Sequence, residues 1–137
     1  MSDEIDYSAG SEGLDEELNR LTRAVIGCAI AVHRELRPGY IESVYENALA
    51  IEMLERGLNF SRQHGFGLWL KGHSVGSGRI DFLVADKVIV ELKAINGIAP
   101  IHRAQILSHL LATGYRPASL INFNEQILKD EIGRYIF

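Results

Sequence analysis

Apolar and polar positions fall into distinct patterns along the chain. Over Arg79–Val84 and again over Val88–Lys93, Val, Ile, Leu and Phe run almost without interruption, which reads as two strands. Ala85, Asp86 and Lys87 between them read as a hairpin turn. A strand with one wet face alternates apolar and polar; these do not, so the pair is expected at the centre of a sheet, covered on both faces. Upstream, Leu14, Leu18, Leu21, Val25, Val32 and Leu36 recur at spacings of three and four. They predict a helix from Leu14 or Asp15 to Leu36, capped by Ser11 or Asp15 and ended by Arg37-Pro38-Gly39. A second helix is expected from Ile41 to Arg56, stopped by Gly57. Its core face would be Ile41, Val44, Ala48, Ile51 and Leu54, beside a stripe of Glu42, Tyr45, Glu46 and Leu49.

Leu58–Lys71 reads as the first strand, with Trp69 near its end and Gly65 and Gly67 marking a bulge or a close approach. The turns Lys71-Gly72-His73 and Gly76-Ser77-Gly78 lead into the central hairpin, and Asn96-Gly97 follows it as a loop. A third helix runs from Pro100 to Gly114. His102, Gln105, His109 and Ala112 share its polar stripe; Ile106, Leu107, Leu110 and Leu111 supply its apolar side. Ala118–Phe123 is a last strand, and a strand–helix–strand connection of this length suits a parallel crossover. Leu128–Phe137 reads as either a short helix or an edge strand. The sum is an α/β fold: a mixed central sheet of about four strands flanked by helices.

At 137 residues and 47% apolar composition, the chain is expected to be one domain over 14–137, preceded by a disordered acidic tail over 1–13. The net charge of -4 hides an asymmetry. Seven of the 18 acids lie in the first 17 residues, which hold no base, leaving 11 acids against 14 bases in the rest. A phosphate-binding domain with an acidic tail has this charge distribution, and so has any near-neutral domain with a solvated tail. The single cysteine, Cys28, excludes an intrachain disulfide and a zinc cluster and reads as a small core residue. No apolar run reaches membrane-spanning length and the N-terminus is acidic, so the expected location is the cytoplasm, away from any membrane.

The two central strands also carry Asp81, Glu91 and Lys93. Burying an unpaired charge costs several kcal/mol, so three on core strands need a reason. Glu91 and Lys93, two apart, share a face, and in a tight hairpin Asp81 can lie across from them. Two carboxylates suit a hard cation such as Mg²⁺ or Mn²⁺; a neighbouring lysine can orient water and stabilise developing negative charge. The competing account is a buried ion pair without chemistry, which is a poor stabiliser in a core. Glu42 stands near a helix N-terminus, where the dipole favours an acid. Tyr45 can donate a hydrogen bond to Glu42 or to a phosphate, or simply pack. Gln105 can both donate and accept, and His102 lies one turn away.

Asp81 followed by Glu91-Leu92-Lys93 resembles the PD-(D/E)xK nuclease-like superfamily. Gly39-Tyr40-Ile41-Glu42-Ser43-Val44-Tyr45 matches the motif that names its GxxExxY family, and the order of elements agrees from about Leu21 onward. The resemblance implies a restriction-endonuclease-like core and metal-dependent hydrolysis of phosphodiester bonds in nucleic acid, DNA in preference to RNA. Asp81, Glu91 and Glu42 would hold the cation; Lys93, Gln105 and Glu42 would serve catalysis; Tyr45 and His102 would meet substrate. No helix-turn-helix or aromatic-and-basic RNA-binding motif is present, which leaves specificity to a homodimer or a partner protein. The alternative is a non-catalytic nucleic-acid- or protein-binding module on the same fold.

Overall fold

A computed structural model describes residues 12–115 and 117–128. In chain order the elements are α1 (Glu12–Leu36), α2 (Glu42–Glu55), β1 (Phe60–Leu70), β2 (His73–Val84), β3 (Val88–Lys93), α3 (Pro100–Thr113) and β4 (Ala118–Asn122). The four strands form one sheet in the order β1-β2-β3-β4. Both hairpins are antiparallel, and β4 returns parallel to β3 through α3, as the spacing of apolar runs predicts. Most of the expected tail, the cap from Ser11 or Asp15, and the C-terminal segment after Leu128 fall outside the residues and side chains described.

The apolar runs are buried on both faces. Phe82, Val84, Val88, Val90 and Leu92 pack against Val25, Cys28 and Val32 of α1 and Tyr45, Leu49 and Met53 of α2. Ile80, Leu83 and Ile89 pack on the other face, against Ile106 and Leu110 of α3. The turn between β2 and β3 puts Ala85 and Asp86 at φ 53° and 56°, a twist that matches the flanking strands. Gln63 in β1 takes φ 49°, and side-chain alternation slips there in both β1 and β2. Phe60 and Phe82 lie on the α1–α2 side, whereas Phe66 and Ile80, at positions of the same parity, lie on the α3 side.

Two expectations are corrected. The buried face of α2 is Tyr45, Leu49, Ala50 and Met53, while Ile41, Ile51 and Leu54 are 72%, 58% and 67% exposed. The helix offers two apolar stripes of similar quality. The one taken holds Tyr45, whose ring stacks on Phe123 with centroids 4.6 Å apart. Second, Gly76-Ser77-Gly78 is not a loop but part of β2, which pairs with β1 from Leu70↔His73 down to Phe60↔Val84. The far half of this arm is exposed, so it sacrifices little packing by carrying glycine.

The Tyr45 hydroxyl donates to the carbonyl of Arg37 at 2.6 Å and accepts from the amide of Tyr40 at 3.2 Å. It thereby clamps the α1–α2 turn, in which Gly39 takes φ 126°. Tyr45→Phe keeps the stacking and removes both bonds, a loss of about 1 kcal/mol. Thermal denaturation should show Tm lowered by roughly 3–6 °C. An unchanged Tm would mean that the hydroxyl does not hold the turn.

Candidate functional site

Leu92 is buried on the α1–α2 side, so Glu91 and Lys93 project from the opposite face of β3, toward α3. Asp81 reaches the same place by a different route. The β2–β3 ladder runs from Val84↔Val88 to Phe82↔Val90, and beyond it the Asp81 carboxylate replaces a backbone acceptor. Its Oδ2 takes the Leu92 amide at 2.8 Å, and Oδ1 receives a longer bond from Gln63 Nε2 at 3.3 Å. Satisfying that amide is obligatory at this depth, so the orientation of Asp81 is set by the backbone.

The three side chains open into one cavity of about 270 Å³, whose wall also includes Glu42, Arg79, His102, Gln105 and His109. Glu42 enters from the first turn of α2, carried there by the turn that Tyr45 clamps. Burial pushes the Asp81 carboxyl above its ordinary range; the Leu92 amide opposes this, and the charges of Glu91 and Glu46 add to it. Burial likewise raises Glu42, reinforced by the charge of Asp81 and opposed by that of Lys93. Glu46 is tied down beside the cavity, accepting from Arg62 at 2.7 Å and from Gln63 at 2.7 Å.

His109 was not singled out from the sequence, yet its Nδ1 stands 3.0 Å from both carboxylate oxygens of Glu91. The sole sequence signal was its place on the stripe of α3 shared with His102 and Gln105. Arg79, which the sequence marks only as the start of a strand, also lines the cavity. Gln105 is exposed on α3 at the cavity wall. His102 is half-buried, and its Nδ1 accepts from the Ala99 amide at 2.9 Å, which leaves Nε2 as the protonated nitrogen of the neutral ring. Tyr45 is the exception among the expected residues. It is 0% exposed with its hydroxyl spent on Arg37 and Tyr40, so it does not reach a substrate.

A sequence profile of the PD-(D/E)XK nuclease superfamily matches residues 19–135. The chain belongs to that superfamily. Its mixed four-stranded sheet with flanking helices is the restriction-endonuclease-like fold. No curated protein and no solved structure matches the sequence.

Nucleases of the superfamily generally use divalent metal ions. The donor set here fits one. Hard carboxylate oxygens from Asp81, Glu91 and Glu42 border a single cavity, and a dication relieves the repulsion that burial intensifies. Among the described residues no three His, Cys, Asp or Glu side chains stand in a ready ligand arrangement. Glu91 is turned onto His109, and Asp81 has one oxygen committed to Leu92.

The raised carboxyls have a consequence for stability. A carboxyl whose folded value lies above its unfolded one stabilises the fold fully below the unfolded value and loses that contribution as pH rises through the folded one. Without divalent cations, Asp81→Asn should therefore raise Tm by roughly a few degrees at neutral pH, because the amide oxygen keeps the Leu92 bond while the charge is gone. The difference should vanish in acid, below the ordinary carboxylate range. Melting curves across pH in a chelator check both parts; a destabilised variant at neutral pH would contradict them.

Proposed function

We propose that the chain is a GxxExxY-type nuclease that hydrolyses phosphodiester bonds of DNA with Mg²⁺ or Mn²⁺. The observation that carries this reading is the opening of Asp81, Glu91 and Lys93 into one cavity rimmed by Glu42. Asp81, Glu91 and Glu42 would hold the cation, whose chemistry is to neutralise phosphate charge and to activate water. Lys93 orients the attacking water and stabilises the negative charge that builds on the phosphate. Gln105 offers a donor and an acceptor to the same water or to a phosphate oxygen. His102, through Nε2–H, and Arg79 are donors to the backbone of the bound strand. His109 holds the Glu91 carboxylate in place.

The motif has a physical rationale on this reading. Gly39 makes the turn, Tyr45 locks it from the core, and Glu42 is thereby presented to the cavity. DNA in preference to RNA is what the resemblance to the GxxExxY family implies. Residues 14–137 would act as one nuclease-like domain in the cytoplasm, with specificity supplied by a second copy or a partner protein.

A non-catalytic binding module is the second reading, favoured by the engagement of both Glu91 oxygens with His109. One measurement tests the metal site and a second separates the two readings. Mg²⁺ or Mn²⁺ should raise the Tm of the wild type and not that of Asp81→Asn or Glu91→Gln. At low salt the wild type should nick supercoiled plasmid weakly, and Lys93→Ala should cut at least about a hundredfold more slowly while keeping the metal-induced rise in Tm. Equal cleavage by wild type and Lys93→Ala would assign the activity to a contaminant. Metal binding without cleavage of any substrate would favour the binding module.

A further inference from the structure

The cavity of the candidate site does not end at its charged residues. A second hollow of about 280 Å³ adjoins it between the β1–β2 arm and α3, and Gln105 and His109 line both. Its character is opposite. Phe66 and Leu68 form one wall and Ile101 and Ala104 the other, with Ser77 and Ser108 also lining it. Ile101 is 60% exposed and Leu68 37%, so the slot opens to solvent. The Phe66 ring sits close over Gly78, where a Cβ would stand 2.5 Å from its Cζ. The ring also meets His109 in an edge contact, centroids 5.2 Å apart, and His109 in turn holds Glu91.

We infer that this slot receives an unpaired nucleobase next to the scissile phosphate, making single-stranded DNA the substrate class. The inference rests on the nuclease reading of the adjoining cavity. A nucleotide flanking the scissile bond must put its base within a few ångströms of the phosphate, and the slot is the apolar surface that adjoins it. Its volume is near the lower end for ligand pockets, suited to one small planar group. Its walls take the faces of that group, and Gln105, Ser77 and Ser108 offer hydrogen bonds to its edge. In a duplex those faces are covered by neighbouring bases, so only a splayed base presents them.

Ala104 is exposed on α3, so Ala104→Trp fills the slot without touching the core. Binding is read by fluorescence anisotropy in Ca²⁺ with dT10, with dT10 carrying one abasic residue at each position in turn, and with a blunt DNA hairpin duplex. Ala104→Trp should weaken dT10 about tenfold and leave the duplex within about twofold. One abasic position should weaken wild-type binding similarly and have no further effect in Ala104→Trp, because both remove the same contact. Gly78→Ala, which drives the Phe66 ring off its seat, should shift dT10 binding in the same direction. Unchanged dT10 affinity in Ala104→Trp, equal losses on dT10 and duplex, or additive effects of variant and abasic site would each overturn the inference. The nuclease reading fails separately. A wild type that binds dT10 in this base-dependent way but cleaves nothing in Mg²⁺ or Mn²⁺ leaves the slot standing without the enzyme. One that cleaves plasmid while showing no base dependence leaves the enzyme without the slot.

Discussion

The bond from the Leu92 amide to Asp81 Oδ2 is where fold and site become one structure. At this point β2 and β3 part, and a buried amide would otherwise lose its partner at a cost of about 1–3 kcal/mol. Asp81 supplies that partner, its other oxygen accepts from Gln63, and its side chain lines the cavity. An aspartate here is therefore both part of the sheet and part of the site. Asparagine can take over the first duty; alanine can take over neither, and leaves the amide orphaned.

The two sides of the site differ in how firmly they are built. Among the described residues, nine buried apolar side chains of α1 and α2 back the sheet, against Ile106 and Leu110 of α3. At roughly 1.5–3 kcal/mol for each large apolar side chain, α3 is anchored by about 3–6 kcal/mol and the opposite layer by several times more. Asp81, Glu91 and Lys93 thus sit on the rigid side, and His102, Gln105 and His109 on the lightly held one.

The apolar runs made the sheet, its order and the parallel crossover legible, because strands buried on both faces leave little other reading. The charges at Asp81, Glu91 and Lys93 were legible for the complementary reason: they interrupt such runs. Helix α2 was misread because two apolar stripes compete along it. The choice fell to a partner distant in sequence, Phe123, whose ring stacks on Tyr45. His109 and Arg79 could not be assigned without the fold, since each is a single polar residue whose meaning depends on what lies across from it. The shift in strand parity at Gln63 had no sequence signal at all. Gln63 is neither glycine nor asparagine, the residues that usually mark a positive φ.

Electrostatics ties these features to the proposed chemistry. The chain after Glu17 carries a small positive excess, 14 bases against 11 acids, yet the cavity gathers Glu42, Asp81 and Glu91 around Lys93 and Arg79. A phosphate entering that cavity alone would meet more carboxylate than cation, in a setting where burial already pushes two of those carboxyls toward the neutral form. A divalent cation reverses the local sign, so on this reading cation and substrate bind cooperatively, each relieving the repulsion that opposes the other. The adjoining apolar slot would supply attraction that does not depend on charge. Salt would then weaken the hold on the phosphates far more than the hold on the base, and a short unpaired strand would lose less affinity with salt than a duplex bound through its phosphates alone.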